Sequence, residues 1–260
     1  MAKKYDFLAI GDLATDAFIK LRDAEVKNSA RHAEKLICMR FGDKNPYESV
    51  KVVPAVGNSV NAAVSAARLG LKSAVVTNIG DDPNGKEALG VLKKEGVNTE
   101  FVKVNKGKET NYHYVLSFSG ERTILIKHTD FSYKLPSIGK PRWIYCSSMG
   151  EGSLAFHKLL AKYLTKNKDV KLAFQPGTFQ MSMGAKALKG IYARAEVVFV
   201  NKEEAQKILK TKELDIKKLL NGLCALGPKI AVITDGKLGA YAKEGKEYWF
   251  MPIYPDPKPP

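Results

Sequence analysis

Short apolar runs recur along the chain, separated by longer stretches of helical period. Tyr5–Ile10, Ser73–Thr77, Trp143–Cys146, Lys171–Phe174, Val197–Val200 and Ile230–Thr234 read as strands, several of them almost continuously apolar. Such runs are expected where both faces of a strand are covered. Helical pattern fills the intervals. Ser59–Leu69 is alanine-rich, with Ser59 as its cap and Gly70 as its stop. Asn84–Lys94 ends at Gly96, and Ser153–Leu164, Lys202–Leu209 and Ile216–Leu226 follow. This alternation predicts an α/β fold with a doubly wound, mainly parallel sheet and helices on both faces. Ligands of such sheets bind beyond the carboxyl ends of the strands.

A second texture interrupts the alternation. Ala17–Leu21, Leu36–Phe41, Val50–Pro54, Asn111–Phe118 and Arg122–Lys127 read as strands with no helices between them. Ser117–Arg122 has the composition of a hairpin turn. Insertions around 17–55 and 110–128 are therefore expected to form a small antiparallel β lid; extra strands of the main sheet are the alternative. The last nine residues, PIYPDPKPP, exclude helix and central strand.

Length and composition agree with one large α/β domain over residues 1–260. At 45% hydrophobic the chain can bury a core without staples. Cys38, Cys146 and Cys224 lie far apart, which argues against disulfides or zinc pairs and for a reducing cytoplasm. No apolar stretch approaches the length of a membrane span, and the amino-terminal run is too short for a signal peptide. The formal charge is +15. The lysines are scattered in pairs such as Lys3–Lys4, Lys93–Lys94 and Lys217–Lys218. No basic run carries interleaved aromatics, so solvated faces and a field attracting anionic phosphates account for the charge better than a nucleic-acid partner.

Several motifs fail. His32, His113, His128 and His157 show no ligand spacing and read as surface or lid residues. Gly80–Lys86 fits G-x-x-x-x-G-K, but Glu87 stands where a magnesium-holding Ser or Thr belongs, and Asp81 and Asp82 would repel a triphosphate. A turn in which Asp and Pro open a helix is the better reading.

Five segments fit one another. After the first strand comes Gly11-Asp12-Leu13-Ala14-Thr15-Asp16. Two carboxylates at a strand's end suit hydroxyl groups; a loop that caps the next element is the plainer alternative. Gly57-Asn58-Ser59-Val60-Asn61 leads into a small-residue helix ending in Leu69-Gly70, and Gly80-Asp81-Asp82-Pro83-Asn84-Gly85 follows a strand. Glycine permits close backbone approach, and an Asn offers both donors and an acceptor to vicinal hydroxyls. Asn201-Lys202-Glu203-Glu204 follows another strand, where a carboxylate near magnesium or a helix cap both make sense. Thr234-Asp235-Gly236-Lys237-Leu238-Gly239-Ala240 follows the next.

In their order and spacing these segments resemble the ribokinase-like (PfkB-type) family of carbohydrate and nucleoside kinases, over essentially the whole chain. The resemblance implies transfer of the γ-phosphoryl group of ATP, with Mg2+, to a hydroxyl of a small molecule. It implies a substrate site at Asp12, Asp16, Gly57, Asn58 and Asn61, and a nucleotide site at Asn201, Glu204, Thr234 and Gly236, with Glu204 acting on magnesium through water. Gln175, in Phe174-Gln175-Pro176-Gly177-Thr178, departs from the family and takes no role. The family's D-T-x-G-A-G-D signature, with its anion hole and catalytic Asp, is not found in residues 1–260 and is expected beyond Pro260. The chain is accordingly read as incomplete and inactive alone, with activity restored by a natural downstream sequence. A sugar of the ribose or fructose type is the leading acceptor. A nucleoside is the alternative, with Tyr112, Tyr114 and Phe118 as a wall for its base or simply as lid core. A non-catalytic polyol-binding protein is a third reading. Lid-mediated homodimers occur in the family and are permitted here.

Overall fold

A computed structural model describes residues 4–29 and 35–255. His32, Lys3 and the final five residues, Asp256–Pro260, lie outside them. The first half contains β1 (Phe7–Ile10), β2 (Ala14–Leu21), β3 (Glu25–Asn28), β4 (Lys35–Cys38), β5 (Tyr47–Val56), α1 (Asn58–Arg68), β6 (Ser73–Gly80), α2 (Pro83–Lys94), β7 (Val102–Asn105), β8 (Asn111–Phe118) and β9 (Glu121–Lys127). The second contains β10 (Trp143–Cys146), α3 (Leu154–Lys166), β11 (Lys171–Phe174), α4 (Thr178–Met183), α5 (Lys189–Tyr192), β12 (Ala195–Asn201), α6 (Lys202–Leu209), α7 (Ile216–Ala225), β13 (Ile230–Thr234), β14 (Ala240–Glu244) and β15 (Glu247–Met251).

The main sheet runs β15-β14-β13-β12-β11-β10-β1-β6-β7. It is parallel except where β14 and β15 reverse at one edge. From β1 the chain first winds outward through β6 to β7, and later outward on the other side from β10. The carboxyl ends of β1 and β10 are therefore the switch point at which such sheets hold ligands. The strands alternate in what they bury. Ala9 and Val75 pack with Val60 and Ala63 of α1. Leu8, Ile10 and Ile144 pack with Phe156 and Leu160 of α3 on the opposite face. Small residues at 63 and 66 let α1 lie close against β1 and β6.

The lid is a four-stranded sheet in the order β5-β2-β8-β9. Its outer pairings are antiparallel and its central pairing, β2 with β8, is parallel. The β8–β9 hairpin turns through Ser119 and Gly120, both at positive φ, as the composition of that segment predicts.

Some expectations need correction. The cap of α1 is Gly57, not Ser59, which is buried inside the helix. Leu36–Phe41 is no lid strand: Lys35–Cys38 pairs with Glu25–Asn28 in a separate two-stranded sheet. β3, β7 and β14 are interrupted by Lys and Glu at or beside sheet edges, where a purely apolar signal is not maintained.

Candidate functional site

The loop after β1 carries Asp12, whose side chain is almost fully enclosed. The Tyr133 hydroxyl lies 3.0 and 2.9 Å from its two oxygens, and the Gly150 amide donates to Oδ2 at 2.7 Å. His128 Nδ1 stands 3.5 Å from the same oxygen. Burial and the adjacent carboxylate raise the Tyr133 phenol well above the ordinary tyrosine range. Asp12 is thus occupied within the protein, and it joins the exits of β1, β10 and the lid.

Asp16 is in the opposite state. It lies within the lid strand β2, not in the preceding loop. Its side chain is 19% exposed, and its carboxylate accepts no hydrogen bond among the described residues. His113 Nδ1, on the neighbouring strand β8, is 3.2 Å away without the geometry of a hydrogen bond, and His113 Nε2 is likewise buried and unpartnered. The parallel register places Asp16 directly beside His113. Asn111, at the base of β8, donates to the Leu13 carbonyl at 3.0 Å and accepts from the Thr129 amide at 2.8 Å, pinning the lid's entry to its exit.

Asp12, Asp16, Gly57 and Asn58 line one cavity of about 360 Å³, closed by Ile124, Ile126 and Phe179. Gly57 is required there for a reason internal to the protein. Its φ is 123°, and a Cβ would fall 2.6 Å from the Asp12 carbonyl oxygen. Asn61 lies one turn into α1, exposed, and does not line the cavity. Tyr112 and Tyr114 alternate to the other side of β8, where they line a separate hollow with Asp82 and Asn84. Another cavity, of about 330 Å³, lies behind Asp12 between Tyr133, Phe101 and Phe156.

A buried network fixes the floor. Gln180 donates to the Ser147 carbonyl at 2.6 Å and accepts from the Gly177 amide at 2.7 Å. Its Nε2 also faces His157 Nε2 at 3.2 Å, while His157 Nδ1 meets the Ser153 carbonyl at 2.7 Å. The carbonyl can only accept, so Nδ1 carries the proton and Nε2 accepts from Gln180. Burial lowers the His157 pKa and keeps the ring neutral. His157 is therefore a core residue, contrary to its reading as surface or lid. Gly177 lies so close to Ser148, which lines the cavity of Asp12 and Asp16, that a Cβ would sit 2.2 Å from its hydroxyl.

The residues expected to hold the nucleotide form a second group. Asn201 and Thr234 are register partners at the ends of β12 and β13. Asn201 Oδ1 accepts from the Glu204 amide at 2.7 Å, and Glu204 Oε2 accepts from the Asn201 amide at 2.8 Å, a reciprocal cap on α6. Lys202 pairs with Asp235 at 3.3 Å, tying this helix start to the turn. Gly236 has φ of 52° and open space where a side chain would be, so an approaching ligand meets bare backbone. Among the described residues no three His, Cys, Asp or Glu side chains cluster as a metal cage. A magnesium ion still fits: the second Glu204 oxygen is outside the cap, and magnesium keeps several waters and few protein ligands beside substrate phosphates.

The Gly80–Lys86 turn is not a phosphate cradle. Asp82 accepts from the Gly85 amide at 3.1 Å and from the Thr110 hydroxyl at 2.6 Å, capping α2 above Pro83. Tyr133, Gly150, Asn111 and Gln180 carry no motif of their own. They act through distant segments that only the topology brings together.

The pfkB family of carbohydrate kinases matches residues 29–259. An ATP-dependent 6-phosphofructokinase of Thermoanaerobacterium thermosaccharolyticum is 23% identical, covering 94% of this chain and 73% of its own length. A nucleoside kinase of Methanothermobacter thermautotrophicus is 22% identical, covering 92% and 72%. Ribokinase of Arabidopsis thaliana, solved with ribose and ATP, superposes with a TM-score of 0.75 at 16% identity, over 98% of this chain and 79% of that one.

Proposed function

The chain belongs to the pfkB family of carbohydrate kinases, and from that premise we propose that it carries the acceptor pocket and part of the nucleotide cradle for phosphoryl transfer from ATP to a sugar hydroxyl. The observation that carries the reading is Asp16. A carboxylate four-fifths buried with no hydrogen bond is unfavourable by itself. An acceptor hydroxyl would donate to it and remove that cost. Gly57 and Asn58 border the same space, and Asp12 holds the loops in position. Asn61 stays outside the acceptor site in this proposal. The ribokinase relative solved with ribose and ATP supports the pairing of ligands.

Asn201, Thr234 and the backbone at Gly236 would meet the phosphates, with Glu204 acting on Mg2+ through water. Phosphoryl transfer depends mainly on positioning and charge stabilisation. Residues 1–260 contain no G-A-G-D run, so none of them is assigned as the base. Binding of acceptor and Mg-ATP with little turnover is expected of these residues alone. Calorimetry with ribose and fructose, beside a product assay with ATP, tests this. Rapid turnover would show that a base lies within residues 1–260, and absence of acceptor binding would sink the pocket.

A nucleoside acceptor is the second reading, supported by the apolar side of the cavity at Ile124, Ile126 and Phe179. Half-exposed lid residues such as Val50, Val52 and Leu125 support a homodimer through the lid, which sedimentation would reveal. No helix among the described residues is long and apolar enough to cross a membrane. Three free cysteines support a cytoplasmic setting.

A further inference from the structure

We infer that the acceptor is an unphosphorylated polyol, and that the cavity selects against the phosphate ester of the same compound. The inference rests on the acceptor-site reading above and asks which class of acceptor that site admits. Its ground is the charge of the lining. Asp12 and Asp16 both border the cavity, and no Lys or Arg is among its lining residues as far as the described residues go. Among the described lining residues the bases are His113 and His128. Each already stands beside a carboxylate, at 3.2 and 3.5 Å.

Several cations of the surrounding elements are engaged elsewhere, and Arg122 of β9 and Lys51 of β5 share the lid face but lie outside the cavity lining. Lys127 on β9 pairs with Glu109 at 2.6 Å, and Lys20 on β2 pairs with Glu48 at 2.7 Å. Lys108 bonds the Asp130 carbonyl. Arg68 of α1 pairs with Glu95 at 2.7 Å, far from the cavity end of that helix. The four residues of α4 that follow Phe179 bring no charge. The rest of the lining is neutral: amides, hydroxyls, and the aliphatic and aromatic wall of Val56, Ile124, Ile126 and Phe179. Hydroxyl hydrogens suit Asp16, and C–H faces suit the wall. A phosphate dianion would meet two carboxylates in a partly desolvated space, with no Lys or Arg in the described lining to offset them. The molecule's net charge of +15 thus draws anions to its surface without providing for one in the acceptor cavity.

The test is calorimetry on the 260-residue chain at pH 8, where free histidines are neutral. Ribose, fructose and adenosine are titrated against ribose 5-phosphate and fructose 6-phosphate. At least one neutral compound should bind, and the phosphate esters should bind at least about tenfold more weakly, roughly 1.4 kcal/mol. Ile124→Lys, which adds a cation to the half-exposed lid wall, should narrow that ratio by raising affinity for the ester. A phosphate ester binding as tightly as its parent sugar overturns the inference and leaves the kinase reading standing. Binding of neither class, by a chain whose unfolding transition is intact, overturns the acceptor site itself. An Ile124→Lys chain that folds and binds the parent sugar, yet gains nothing for the ester, removes charge as the basis of selection.

Discussion

The Gly150 amide donates both to Asp12, at 2.7 Å, and to the Tyr133 hydroxyl, at 2.9 Å, while that hydroxyl bonds the Asp12 carboxylate. A buried charge is held here by a phenol and a backbone amide. Removing the phenol in Tyr133→Phe leaves the carboxylate with one firm donor. A stability loss of about 1.5–3 kcal/mol is expected, the range for hydrogen bonds to charged groups, and urea unfolding measures it.

The same phenol gives an alkaline signature. Its folded pKa is raised, by burial first and by Asp12 second. The unfolded chain releases that proton near pH 10 while the folded chain retains it. The contribution is therefore complete below about pH 10 and declines as the pH rises beyond it. Tyr133→Phe should show a shallower loss of stability between about pH 10 and 11 than the parent, by denaturant midpoint.

Asp12 and Asp16 should separate under the same substitution. Asp12→Asn exchanges a satisfied acceptor for a group that also needs partners for its amide protons, and a loss of about 1–3 kcal/mol follows. Asp16→Asn removes a buried charge that has no hydrogen bond, so stability should hold or rise slightly. Acceptor affinity should fall about tenfold or more, consistent with a lost charge-assisted hydrogen bond. Equal destabilisation by both variants would contradict the contrast.

Gln180 serves Ser147, Gly177 and His157 at once. Gln180→Ala leaves those groups unpaired and should cost about 2–4 kcal/mol, with weaker acceptor binding through the displaced Ser148 loop. His157 adds an acid signature. Its folded pKa is lowered by burial, so the unfolded chain takes up a proton first as the pH falls. Stability should decline below about pH 6.5, and His157→Phe should lessen that decline. Unfolding midpoints at pH 7.5 and 5.5 decide it.

Glu204→Gln tests function apart from structure. Glutamine preserves the reciprocal cap with Asn201, so stability should change by less than about 0.5 kcal/mol. Loss of the carboxylate should weaken Mg-ATP binding several-fold, with less effect on nucleotide alone. Glu204→Ala should lose the cap as well, at about 1 kcal/mol.

The alternating sheet, the hairpin at Ser119–Gly120 and the turns at Gly57–Asn58 and Thr234–Gly236 are legible along the chain, because each depends on local pattern. Gly57 is legible only as a glycine. Its actual neighbour, the carbonyl of Asp12, belongs to another loop. Tyr133 and Gly150 carry no periodicity or motif, and their meeting with Asp12 follows from the order of strands. His157 reads as polar on a helical face; the buried amide that satisfies it comes from α4, a helix too short to show a period. Tyr112 and Tyr114 are aromatic in the right strand, but the side-chain alternation that sends His113 inward sends them outward.

The parallel pairing of β2 with β8 sets an order of assembly. Asn111 reaches the Leu13 carbonyl 98 residues earlier in the chain, and the α1–β6–α2–β7 segment lies between the two strands. Closing so long an interval is entropically costly, and non-local pairings of this kind slow folding. A nascent chain would thus hold β2 and β5 without their central partner until β8 is made. The strand carrying Asp16 waits for the one carrying His113, so the cavity they border cannot exist until both sides of that long interval have been made.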